Sequence, residues 1–502
     1  MKNKLYLPLL FLLLSNSVLA QSVNDIISTE KLSEDLTLFR SIREKANSGL
    51  YKYRSQSEID SIYIWALKEI EKPKTILDFY KIICNLTNFE GSVHNETQLP
   101  DAVKKDIAAS NGYFPYAVKL IANKLLINNV NNQIELGSEI LAVNGVKTTE
   151  ILKSLYKYYT TDGFNISGKS ILINSNFAKY YRIEYGISDN FTIEYSSASD
   201  SKSKTITLKS ITNSERAKNF NLRHSLKTDS LFYSKIDKEK YDFKILNEKT
   251  AVLTVKTFNI GGNSRAKEHK RYKKYLDDCF SELKKKAIQN LIVDIRSNGG
   301  GTDPNDILLF SYLANKKFRE NKSAFINFQK IPFSEHLVAE EKSQKQQQKA
   351  IVGFEKELKD EFSIEKDGKF FQNEKFNPFI EPQKNAFNSN IYLLISPRIA
   401  SAGSLFASLV EGNTEAITIG EETMGGYFGH NGHTPIAYEL PNSKIVTEFS
   451  IVNLEQDVNP KKGQLYGSGI LPDFTVYQNT ADFLSNTDTV MNFTLELIKE
   501  KN

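Results

Sequence analysis

Ser401, the consecutive glycines Gly299, Gly300 and Gly301, and the histidines His94, His430 and His433 are the residues whose types and settings can do chemistry together. Ser401 follows the apolar run Asn390 to Ser396 and a turn over Pro397 to Ala400, and with Ala402, Gly403 and Ser404 it opens the amphipathic stretch Leu405 to Val410. Its hydroxyl is therefore expected at a strand-to-helix turn, beside the positive end and free N–H groups of a helix. A serine so placed can attack an acyl carbon, and the resulting oxyanion can be held by the Ala402 N–H and one N–H of a glycine loop. That loop, Asp294-Ile295-Arg296-Ser297-Asn298-Gly299-Gly300-Gly301, directly follows another apolar run, and its glycines leave backbone donors unobstructed. It lacks the Gly-Lys-Ser/Thr of a nucleotide phosphate loop. Taken singly, the serine reads as a helix N-cap and the glycines as a turn.

A third segment runs from the short strand-like Ala416 to Ile419 through Gly420-Glu421-Glu422-Thr423-Met424-Gly425-Gly426 to Tyr427-Phe428-Gly429-His430-Asn431-Gly432-His433. Its glycine density predicts a loop. The His430-x-x-His433 spacing can suggest a metal, but the sequence shows no third ligand, and neither a metal nor an organic cofactor is expected.

The elements that must position these residues follow from patterning. Residues 1–20 read as an export leader, with Lys2 and Lys4, an apolar stretch from Leu5 to Leu14, and Val18 and Ala20 before a cut. That stretch is shorter than the roughly 20 residues that span a bilayer, so the expected product is exported, periplasmic or extracellular, without stable membrane insertion. Residues 21–110 read as a helical domain, residues 111–205 as a β domain, residues 206–245 as a polar linker, and residues 246–490 as an α/β domain with a charged, Gln-rich insertion at 316–384. Strands are expected at Gln133 to Leu136, Glu139 to Val143, Thr250 to Val255 and Asn290 to Ile295, and helices at Thr149 to Tyr158 and Arg271 to Ala287. Asn144-Gly145 predicts a tight hairpin turn. The net charge of +5 from 65 basic and 60 acidic residues is a small bias for 502 residues and implies no nucleic-acid partner. Cys84 and Cys279 can be a disulfide or two buried thiols.

The run Gly137-Ser138-Glu139-Ile140-Leu141-Ala142-Val143-Asn144-Gly145-Val146 resembles the signature of PDZ domains, which bind extended peptides at a sheet edge. The order Asp-x-Arg-x-Asn-x-Gly-Gly at 294–301, Ser401-Ala402 before a helix, Gly-Glu-x-Thr-x-Gly at 420–425 and Gly469-Ile470-Leu471-Pro472-Asp473 resembles the C-terminal processing (tail-specific) protease and tricorn-core family of serine peptidases. The resemblance covers roughly residues 88 to 476. It implies a multidomain α/β protein with a helical N-terminal domain, a PDZ-like domain and a crotonase-like β-spiral catalytic domain.

By the same resemblance Ser401 is the nucleophile, Ala402 with Gly300 or Gly301 supplies the oxyanion donors, and the substrate is a polypeptide. The processing-protease branch carries a general-base lysine where this chain has Gly426, so a Ser-Lys dyad is not expected. The tricorn-type branch uses a histidine ahead of the PDZ-like segment, and His94 stands there; a neutral imidazole can take the serine proton and return it to the leaving amine. His430 and His433 lie near the lost lysine and are the alternative bases. The glutamate of tricorn-like members has no counterpart in Leu465-Tyr466-Gly467-Ser468; Glu455 and Asp457 are the nearest acids, and the acidic partner stays open. A scaffold that binds without catalysis and an esterase acting on small acyl groups are the alternative functions.

Overall fold

The computed structural model describes residues 22–130, 133–197, 200, 202–224, 239–338 and 343–501. The leader read over residues 1–20 lies outside the described residues, and no described helix is long and apolar enough to cross a membrane.

Helices α1 (Thr29–Ala46), α2 (Gln56–Glu69) and α3 (Ile76–Glu90) come first. The apolar spacing of Ile76, Phe79, Tyr80 and Ile83 gives α3 a buried face, and the left-handed Gly91 ends it. The short strand β1 (Glu96–Gln98) follows. Strands β2 (Val118–Ile121), β3 (Lys124–Ile127), β4 (Glu139–Val143), β5 (Asn190–Ser196) and β6 (Ser203–Lys209) form an antiparallel sheet in that order, with α4 (Thr148–Leu155) and α5 (Lys169–Tyr185) inserted between β4 and β5. The expected Asn144-Gly145 turn is present, with Val143 paired to Val146 and both turn residues at positive φ. Gln133 to Leu136, expected as a strand, is irregular: the Ser138 N–H closes a turn on the Glu135 carbonyl, so the run is consumed in reversing the chain. Residues 206–245 hold the end of β6, a helix over Asn213–His224 and the whole of the next strand, and 225–238 lie outside the described residues.

The remaining elements are β7 (Tyr241–Ile245), β8 (Thr250–Val255), α6 (Lys267–Lys285), β9 (Asn290–Asp294), α7 (Asn305–Ser311), β10 (Asn321–Ile326), α8 (Gln344–Glu361), β11 (Asn390–Ile395), α9 (Ala402–Asn413), β12 (Ile417–Gly420), β13 (Asn431–Glu439), β14 (Val446–Gln456), β15 (Phe474–Thr475) and α10 (Thr489–Lys501). One sheet has the order β7-β8-β9-β11-β12-β15, parallel throughout except at the β7–β8 edge. Its interior strands are apolar on both faces because both faces are covered. Leu291, Val293 and Leu393 pack with α6, α7 and α9, whereas Ile292, Tyr392 and Leu394 pack with α10 through Ile498. A further sheet joins β10, β14 and β13, with β1 paired to β14. The molecule is thus mixed α/β. Cys84 and Cys279 are free, buried thiols in separate cores.

The register places the chemistry. Asp294 of β9 lies opposite Leu394 of β11, which lies opposite Ile419 of β12, so these parallel neighbours deliver three glycine-rich or serine-bearing loops at one carboxyl edge. Arg296 fixes that edge: it pairs with Asp294 at 2.7 Å and with Asp488, just ahead of α10, at 2.6 Å, and its side chain is 4% exposed. Arg296→Ala leaves Asp294 buried without its cation, and the urea unfolding midpoint is expected to report a loss of about 3–5 kcal/mol.

Candidate active site

Ser401 is the residue preceding α9, with φ 52° and ψ −135°. This backbone disfavours any side chain and costs on the order of 1–3 kcal/mol, strain that accumulates at functional sites. Its side chain does not cap α9, so the bland N-cap reading of the sequence does not describe it. The Gly403 and Ser404 N–H groups bond to the Ala400 carbonyl, whereas the Ala402 N–H has no acceptor among the described residues.

The glycine loop reaches Ser401 directly. A methyl group on Gly300, which has φ 110°, would lie 2.7 Å from Ser401 Cβ and 2.9 Å from the Ala400 carbonyl oxygen. Gly300 itself is engaged: its N–H donates to Asn298 Oδ1 at 2.9 Å, and its carbonyl accepts from the Phe258 N–H. Asn298 in turn donates to the Val255 carbonyl at the end of β8. The Gly301 N–H bonds to no described acceptor and neither does that of Gly299, so the unengaged donors of this region include those of Ala402, Gly299 and Gly301.

His94 sits in the turn between α3 and β1. Asn95 beside it donates to the Thr87 carbonyl and to Glu90, and Glu90 is paired with the fully buried Arg43. On the other side the Val93 N–H donates to Asp162 Oδ1 at 2.8 Å, and the Gly426 N–H donates to Asp162 Oδ2 at 2.9 Å. Gly425 then donates to the Ile399 carbonyl, two residues before Ser401. This chain of contacts ties the histidine turn to the serine turn through Asp162, whose carboxyl is pushed up to about 7 by burial, against the lowering pull of the two N–H groups and Lys52.

His94 is partly open, yet its Nε2 is enclosed and has no hydrogen-bond partner. Burial, then the charge of His433, lower its pKa to about 4. His430 packs its ring 5.2 Å from that of His94 and is 1% exposed; burial first, then His94, His433 and Lys52, hold it well below the usual histidine range. The glycine-dense segment carrying His430 and His433 was expected as a loop, but Asn431–Glu439 is strand β13, because β14 supplies its backbone partners. His433 therefore points elsewhere, with Nδ1 3.4 Å from Asp303 Oδ2.

Among the described residues no carboxylate ion-pairs with His94. Glu455 pairs with Lys322 and Asp457 with Arg319, both at 2.9 Å, so neither acid left open by the sequence is free to orient it. At Gly426, where the resemblance would place a lysine, a Cβ would meet the Gly429 carbonyl oxygen at 2.8 Å and the Tyr53 hydroxyl at 3.2 Å. The other motif residues hold the loops together. Thr423 Oγ1 accepts from the Ile470 N–H, Glu422 accepts from the Gly469 N–H, and Asp473 accepts from Thr418. Asp162 had no signal in the sequence, since its partners lie 69 and 264 residues away.

A strained serine at the head of a helix, faced by a glycine loop and tied to a histidine turn, is the arrangement of a serine peptidase. Residues 249–476 match the model of Peptidase family S41, and the chain is a serine-type peptidase. Among solved structures, mature CPAF complexed with lactacystin is similar with a TM-score of 0.61 at 11% identity, over 94% of this chain and 98% of that one. Mature CPAF gives 0.58 at 11% identity, over 91% and 95%. At such identities the likeness is one of fold. No curated protein sequence is matched.

Proposed function

We propose that this chain is an exported peptidase that cleaves polypeptides through an acyl-enzyme at Ser401, with His94 as general base and then general acid. The observation that carries this is the strained Ser401 backbone beside the unengaged Ala402 N–H, with His94 Nε2 enclosed and unpartnered. In the first step Ser401 Oγ bonds to the scissile carbonyl carbon, its proton passes to His94, and the oxyanion is held by the Ala402 and Gly301 N–H groups. The imidazolium then protonates the leaving amine, and a water repeats the sequence to release the acid and regenerate Ser401. His430 serves as packing for His94, since its own protonation is the more strongly opposed.

The sheet β2 to β6, with α5 against its β2 edge, supports the PDZ-like reading. A groove of about 400 Å³ lined by Lys119, Ile121 and Ser170, and by Pro397 and Glu421 of the catalytic loops, offers an extended peptide a path from that edge toward Ser401. The test is turnover of casein against a small nitrophenyl ester. Casein cleavage supports the peptidase, and ester turnover alone would make the chain an esterase. That no carboxylate among the described residues pairs with the His94 ring favours a second reading, a peptide-binding scaffold without catalysis, which turnover of neither substrate would support.

The pH profile gives an independent check. A general base acts when neutral, so a pKa lowered from 6.5 to about 4 keeps His94 competent as pH falls through 6, and the acid limb of kcat/KM is expected near 4. A limb near 7 that moves in Asp162→Asn would assign the controlling group to Asp162 and contradict this.

A further inference from the structure

Outside the proposed acyl-transfer machinery, three elements converge their ligand-type side chains. Asp303 follows the glycine loop, Glu320 precedes β10, and His433 lies on β13; one ligand atom from each falls within 4.8 Å of the others. The His433 Nδ1 to Asp303 Oδ2 distance of 3.4 Å is long for a hydrogen bond. It is close to the separation of about 3.3–3.4 Å between two ligands on one tetrahedral cation with bonds of about 2.0–2.1 Å.

The cluster holds no lysine or arginine, and its one potential cation is the His433 imidazole, charged only when protonated. Asp306, in the first turn of α7, is fully buried, and its carboxylate oxygens find no well-formed hydrogen bond, with only Asp303 and the N–H groups of Asp306 and Ile307 close to them. Glu320 is 9% exposed, and its Oε1 is likewise unpartnered. The charge of Asp303 acts on both, and that of Asp306 on Glu320. Arg319 and Lys322, the cations flanking Glu320 in sequence, are turned to Asp457 and Glu455 instead. Among the described residues no lysine or arginine pairs with Asp303, Asp306 or Glu320. Unpaired carboxylates in such surroundings are costly unless a proton or a cation joins them.

The backbone is bent to bring the imidazole there. His433 and Thr434 both have positive φ, 53° and 48°, at a register shift between Gly432 and Pro435 in the β13–β14 pairing. Such bulges re-aim side chains beside active sites.

We infer that Asp303, Glu320 and His433, backed by Asp306, form a binding site for a divalent first-row transition cation. Carboxylates with one imidazole suit Zn²⁺ or Mn²⁺, whereas Ca²⁺ and Mg²⁺ take oxygen ligands. The cation clamps the loop bearing Gly300 and Gly301 to the strand that begins beside His430, so it orders the oxyanion loop without touching substrate. The site does not depend on the catalytic assignment, and its test needs no turnover.

Chelator-stripped protein is titrated with Zn²⁺ at neutral pH by calorimetry and melted with and without the ion, with Ca²⁺ as the contrast. One equivalent of Zn²⁺ is expected to bind and raise Tm, Ca²⁺ to do neither, and Glu320→Gln and His433→Ala each to weaken Zn²⁺ binding at least about tenfold. Asp306→Asn guards against misfolding of those variants: it removes a buried like charge, so it should melt higher than wild type without Zn²⁺ and gain less from the ion. No saturable binding and no Tm shift in the folded wild type would overturn the proposal in favour of a shared proton. Undiminished affinity in both ligand variants would also overturn it, by placing the ion elsewhere.

Discussion

Ser401→Ala is expected to lower kcat/KM for peptide hydrolysis by about ten-thousand- to a million-fold, and His94→Ala by a similar factor. The double variant should be no worse than either single one, because nucleophile and base act as a unit and removing one idles the other. Steady-state kinetics with a protein or peptide substrate reads this directly. Unchanged thermal melting is expected for Ser401→Ala, since alanine keeps the Cβ on the strained backbone at φ 52°. A His94→Ala variant that keeps most of its activity, with loss appearing in His430→Ala instead, would transfer the base to the neighbouring ring 5.2 Å away.

Gly300→Ala is the second large effect. The added methyl falls 2.7 Å from Ser401 Cβ, and alanine is poorly suited to φ 110°, so the loop must retreat from the serine. In the proposed mechanism the Gly301 N–H holds the oxyanion, so moving the loop displaces it, and loss of one such donor lowers kcat by about 100- to 1000-fold. The expected signature is a fall in kcat with KM nearly kept, since the donor acts on the transition state. A rise in KM alone would mean that the loop binds substrate and does not stabilise the oxyanion.

How far the sequence disclosed this site follows from how each part is built. Strands β8, β9 and β11 are apolar on both faces, and such runs are visible without knowledge of their partners. Parallel pairing of β9, β11 and β12 then brings loops more than a hundred residues apart to one edge. The strand-to-helix turn at Ser401 and the glycine loop beside it were therefore legible, while the role of His94 rests on the resemblance alone. Arg296 was legible as a motif residue, but its clamp on Asp488 ahead of α10 was not, because nothing local marks Asp488 as its partner. Asp162 was illegible for the same reason: it lies in an ordinary polar turn and matters through two backbone N–H groups supplied from distant segments. The loop expectation holds through His430 but fails from Asn431 to His433, where glycine content outweighed a pairing with β14 that only the folded sheet supplies. That same pairing turns His433 away from His94 and toward Asp303.

Labelling of the purified protein by a fluorophosphonate, followed by mass analysis of the modified peptide, tests the central claim most directly. One adduct is expected, on Ser401, absent in Ser401→Ala and formed at least about a hundredfold more slowly in His94→Ala. A folded wild-type protein that takes no label, under conditions where a control serine hydrolase is fully modified, would contradict it.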